Sequence, residues 1–253
     1  MIDIKTFLGI KVLFLPDIYV YPPTLNDTLD IKDYNLWLQY LTLSQEDIWD
    51  SIVKKEGKEL GTKVENALTP FETLLVGCYE SESLLKRMEK GIEFFTHKKV
   101  KILPNEKIIL FTEDLEKVNS SNLIINQIKT INKDNYFFFQ NLIRQVCGKD
   151  KVEPPNPNEN PVVARIKAKG RERERIKQKH GNKNATPFIL ILVAICCMGI
   201  GFTPLNIGEI PFAAIDPLFK LCRNKEEYMI SIMMATGGLG NSKIKPKYWI
   251  REN

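Results

Sequence analysis

The sequence predicts a mainly α protein. It has an α-rich N-terminal domain over residues 1–150 with a small β-hairpin near 98–111, a Pro-rich and then basic linker over 151–185, and a small helical C-terminal domain over 186–253. Three observations predict this. Apolar residues recur at helical spacing in both flanking parts. Four prolines fall within residues 153–161, where fixed φ angles and missing N–H donors stop helix and central strand alike. Two short apolar runs, Lys98–Leu103 and Lys107–Phe111, flank Pro104-Asn105-Glu106, which reads as a hairpin turn.

Taken in order, residues 7–21 are apolar and β-prone in places and end at Pro22-Pro23, so they read as a short strand or a docked extended segment. Tyr34–Leu41 carries apolar groups at the spacing of a helix. Ser44 followed by Asp47, and Thr69-Pro70-Phe71-Glu72, each place a capping hydroxyl three residues before an acid. Such a pair satisfies amides that a helix start leaves exposed. Ser83 opens a further helix through Met88, Ile92, Phe94 and Phe95, with His97 at its end, where a cation suits the helix dipole. From Ser121 to Cys147 the helical period returns over Leu123, Ile124, Ile128, Ile131, Phe137, Phe138 and Leu142.

Beyond the linker, Pro187–Thr203 is an uncharged apolar run, shorter than the about 20 residues of a membrane span and broken by Gly199 and Gly201. We read it as the buried central helix of a small bundle. Thr203-Pro204 then caps a short helix to Glu209. Pro211 starts another through Phe212, Ile215, Leu218, Phe219 and Cys222. A third begins at Asn224 and runs through Tyr228, Met233 and Met234, with Gly237-Gly238 as its terminator.

Composition narrows the function. Hydrophobic residues make up 43% and charged residues 26%, as in a globular chain. The net charge of +5 divides into −3 over residues 1–150, +6 over 151–184 and +2 over 185–253. The basic excess therefore sits in one short stretch, which reads as a solvated linker and not as a specific nucleic-acid surface. Five cysteines and two histidines are scattered without zinc-ligand spacing, so neither a metal nor another cofactor is expected. Neither His97 nor His180 has a nucleophile or carboxylate at suggestive spacing, and Gly237–Lys243 lacks the phosphate-loop pattern. No catalytic residue emerges, and an enzyme is not expected. The N-terminus lacks the pattern of a signal peptide, which makes a cytoplasm the expected compartment.

In the C-terminal part, Met198–Ile210 precedes Pro211-Phe212-Ala213-Ala214-Ile215 and then Lys225-Glu226-Glu227-Tyr228. This succession resembles the tail assembly chaperones of long-tailed and contractile bacteriophages. In that family an apolar helix ends in a glycine-containing turn, and a short helix with Glu-Ile, a Pro-Phe helix and a Lys/Glu-rich helix with tyrosine follow. The helical N-terminal part, linker and small helical C-terminal part resemble the longer, frameshift-fused form. The resemblance implies a non-enzymatic protein of the host cytoplasm that binds the tape measure protein and tail tube subunits, with self-association left open. A linker between two binding parts would raise their effective concentration for each other's partners. The expected contact surface is Phe212, Ile215 and Phe219, spaced along one helix face, with Tyr228, Met229 and Met233 as further candidates. The same spacing also suits packing of Ile215 in the bundle core. The rival readings are a single-span membrane protein with a cytoplasmic N-terminal domain, a structural tail or baseplate adaptor of the virion, and an RNA-binding protein acting through Arg165–Lys183.

Overall fold

The computed structural model describes residues 4–29, 31–48, 68–111, 129–149, 151–152, 187–199 and 201–236. The elements in chain order are α1 (Ile4–Phe7), β1 (Val12–Leu15), β2 (Ile18–Val20), α2 (Leu25–Leu29), α3 (Tyr34–Leu41), α4 (Pro70–Glu80), α5 (Glu82–Thr96), β3 (Val100–Leu103), β4 (Ile108–Phe111), β5 (Thr130–Ile131), α6 (Lys133–Val146), α7 (Phe188–Cys197) and α8 (Ile215–Thr236). The protein is mainly α with two small sheets. Its contacts divide it into two units, residues 1–153 with 208–214, and residues 154–207 with 215–253.

Local chemistry sets the helix starts. The Thr69 hydroxyl accepts from the Glu72 amide, while the Glu72 carboxylate accepts from the Thr69 amide at 2.9 Å, a reciprocal cap with Pro70 behind it. Ser44 and Asp47 make the same exchange before a helical turn at 45–48. Ser81 caps α5, two residues before the serine expected from the sequence, and His97 closes it in the left-handed conformation at φ 52°. Asn132 and Asn135 cap α6 reciprocally.

The hairpin near 98–111 forms as β3 and β4 pair antiparallel, Val100 opposite Phe111 and Leu103 opposite Ile108. Two strand features were not foreseen. β5 adds to the far side of β4 through Ile109 and Ile131, so Ile131, expected within a helix, lies in a strand, and the described helix α6 begins at Lys133. β1 and β2 form a separate hairpin, turned at Asp17 with φ 62°. The free edge of β3 is covered by α5. Glu93 accepts from the Val100 amide at 3.1 Å and Glu89 from the Ile102 amide at 3.0 Å. Two carboxylates four residues apart on a helix thus satisfy alternate donors of an edge strand, which would otherwise invite foreign pairing. Helices α3 to α6 and both sheets enclose one core around Met88, Ile92, Phe95, Ile109, Ile131 and Phe139.

Residues 208–214 complete this first unit. Thr24 and Pro211 pair as an isolated antiparallel bridge. The Leu25 amide donates to the Ile210 carbonyl at 2.9 Å, and the Phe212 amide donates to the Pro23 carbonyl at 2.8 Å. Pro211 thus occupies the position of the pair that exchanges no hydrogen bonds with its partner, where a missing N–H costs nothing. Ile210 is 1% exposed, and Ala213 and Ala214 are buried. The Phe212 ring meets Tyr34 edge-on at 6.0 Å. Pro211 does stand directly before a helical run, and its carbonyl accepts the first bond of that run from the Ala214 amide at 2.8 Å, but the run opens as a 3-10 turn and not as an α-helix. Phe212–Ala214 form a single 3-10 turn, and the helix begins at Ile215.

In the second unit α7 packs against α8. α8 is one continuous helix of 22 residues through Asn224, where two helices were expected. The expected linker over 153–186, the helical period over Leu123, Ile124 and Ile128, and the Gly237-Gly238 terminator lie outside the described residues.

Candidate partner-binding surface

α7 is apolar on every side, so it can bury only the side that faces a neighbour. Of its residues Ile195 alone is buried, while Phe188, Ile189, Leu190 and Val193 stand exposed. The expectation of a buried central helix is corrected accordingly. α8 changes character along its length. Ile215, Leu218 and Cys222, spaced as one helical face, are buried in its first half. Beyond Cys222 no described side chain of α8 is buried. Met229, Ile230, Met233 and Met234 are all exposed there, with Met233 at 63%. Residues 229 and 233, like 230 and 234, are one helical turn apart and share a face. Lys220 with Asp216, and Arg223 with Glu227, form ion pairs on the solvated sides at 2.6 and 3.5 Å.

The residues singled out in the sequence divide in consequence. Phe212 belongs to the segment seated on the first unit, where its ring meets Tyr34. Ile215 is 4% exposed and has almost no surface to offer a partner. Phe219 and Tyr228 are half-buried, and Met229 and Met233 are open. The structure thus leaves Met229 and Met233 exposed on α8 together with Ile230 and Met234, and it also exposes Phe188, Ile189, Leu190 and Val193 of α7, which the sequence reading assigned to the core. The signal for α7 was present in its all-round apolarity.

Chemistry elsewhere is sparse. Among the described residues no group of three or more His, Cys, Asp or Glu could hold a metal ion. Cys78 and Cys147 are buried, and burial pushes each thiol up to about 12. Burial also holds the Lys149 ammonium below its ordinary value, and its Nζ donates to the Thr42 hydroxyl at 2.8 Å. Among the described residues no helix is long and apolar enough to cross a membrane. The ten residues of α7 extend about 15 Å, half of a hydrocarbon core of roughly 30 Å. No protein-family model, curated protein or solved structure matches this chain.

Proposed function

We propose that the protein is a non-enzymatic binding protein that serves as a bacteriophage tail assembly chaperone in the host cytoplasm, holding the tape measure protein and tail tube subunits before they assemble. One observation carries the binding reading: the second half of α8 presents Met229, Ile230, Met233 and Met234 to solvent instead of to a core. Methionine is flexible and polarizable, so a surface built from it adapts to varied apolar partners. An amphipathic helix of a tape measure chain is the kind of segment that such a surface holds. Covering one such side chain contributes roughly 1.5–3 kcal/mol, so a pair is enough to set an affinity. The assignment to tail assembly rests on the resemblance of Glu209-Ile210, Pro211-Phe212 and Lys225–Tyr228.

The test is a Met229→Asp/Met233→Asp double variant with an unchanged melting curve, in a pull-down of the tape measure and tube proteins encoded with it. We expect the wild-type chain to retain one or both and the variant to lose at least tenfold in affinity. Equal retention by a folded variant, or no retention by the wild type, would overturn the proposal.

A further inference from the structure

Residues 208–214 behave as a ligand that happens to be tethered. Their contacts with the first unit come from one short run of consecutive residues. Among them are the two backbone hydrogen bonds to Pro23 and Leu25, the buried Ile210, Ala213 and Ala214, and the Phe212 ring on Tyr34. The seat is shaped to admit a backbone. A Cβ on Gly148 would stand 3.1 Å from the Ala213 Cα, and one on Gly9 would stand 3.2 Å from the Pro211 ring. At Gly148 the near neighbour is backbone, and glycine lets a backbone lie this close. Between the seat and the segment lie residues 154–207, which belong to the other unit, so the segment reaches its seat from outside the unit it completes.

We propose that the seat is a receptor groove for residues 208–214 that accepts this segment from a second copy of the chain as well as from its own, so that two copies associate by exchanging it. Every contact made within one chain is available between two, which is why exchange of an identical element is a low-cost route to dimers. The tether alone favours the closed form. A tether gives the segment an effective concentration of roughly millimolar or below, so exchange grows as the protein concentration approaches that level. The recognised ligand is an extended apolar peptide that carries Ile-Pro-Phe-Ala-Ala. It donates one amide, accepts one, and presents proline where the ladder needs no donor.

A synthetic peptide spanning residues 206–216 tests this on the full chain. Added at several millimolar, it should displace the chain's own segment from the groove. Hydrogen exchange should then rise at least tenfold at the chain's Phe212 amide, which loses Pro23, while the Leu25 amide stays protected by the carbonyl of the peptide's own Ile210. A peptide carrying Phe212→Asp should leave both amides unchanged. Parallel loss of protection at both amides, or no change at either, would overturn the proposal. A second measurement mixes a chain carrying Phe212→Asp and Ala213→Asp, which keeps the groove, with one carrying Gly148→Val, which keeps the segment. Sedimentation should show a heterodimer that neither variant forms alone. Absence of that heterodimer between folded chains would equally overturn the exchange.

Discussion

Gly148 and Ala213 approach so closely that a Cβ on Gly148 would stand 3.1 Å from the Ala213 Cα and 3.3 Å from its Cβ. Gly148 also sits at φ +72°, which a side chain adopts only at a cost of roughly 1–2 kcal/mol. Gly148→Ala should therefore destabilise the first unit by about 2 kcal/mol or more, read from urea denaturation. Gly148→Asn tolerates the dihedral but still meets Ala213, so it should recover only part of the loss. Full recovery with Asn would show that conformation alone matters at this position.

The two carboxylates on α5 give a second prediction. Glu93→Ala leaves the amide of the buried Val100 without its acceptor, which should cost about 1–3 kcal/mol. Glu93→Gln keeps a carbonyl at the same place and should lose less. Amide exchange at Val100 is the direct readout, and it should accelerate in the alanine variant only.

The cap of α4 makes stability depend on acid. The Thr69 amide, then the Thr69 hydroxyl, and further the charge of Lys133 hold the Glu72 carboxyl below its ordinary value of 4.5. A carboxyl depressed on folding contributes stability above its unfolded value, and that contribution is lost as pH falls through the folded one. The denaturation midpoint of the wild type should thus drop below pH 4.5 more steeply than that of Glu72→Gln. Thr69→Ala removes the hydroxyl and should cost about 1 kcal/mol at neutral pH.

Thiol reactivity should follow burial. At pH 8 a water-soluble thiol reagent should label the exposed Cys197 quickly and the half-buried Cys196 more slowly. Cys78 and Cys147, pushed up to about 12, should react only on unfolding. Because these two thiols ionise at about 9 once unfolded, their contribution to stability is full below that pH. It is lost as pH climbs towards 12. Mass-spectrometric mapping of the labelled sites checks the first statement, and melts between pH 8 and 11 check the second.

Features written in adjacent residues were legible in the sequence. Thr69 and Glu72 cap each other three residues apart, and the turn at Pro104–Lys107 brings β3 and β4 together without help from elsewhere. The failures share a different cause. Pro211 stands before a helical run as its neighbours suggest, but its bridge to Thr24, a residue far away in the chain, has no local signal. Thr130 and Ile131 are too few to show a strand period, and only their pairing with Ile109 and Leu110 makes them one. Asn224-Lys225-Glu226-Glu227 has the look of a helix start, yet a cap former inside a helix costs only a few tenths of a kcal/mol, and α8 runs straight through it. For the candidate surface, composition marked α7 as apolar but could not tell how many neighbours it has. With α8 packed against it, Phe188, Ile189, Leu190 and Val193 remain exposed.

The bridge between Thr24 and Pro211 also sets a clock. Leu25 is synthesised well before Ile210. At roughly 5–20 residues per second, on the order of ten to forty seconds separate the two on the ribosome. The helices α3 to α6 are long complete by then, while the Leu25 amide and the Pro23 carbonyl still wait for their partners. From the time Gly148 has been made until Ile210 follows, the nascent chain carries an open groove with an unpaired backbone edge, the kind of edge to which another strand adds. Closure of the first unit is therefore a record that translation has passed residue 214, a checkpoint written into the order in which the chain is made.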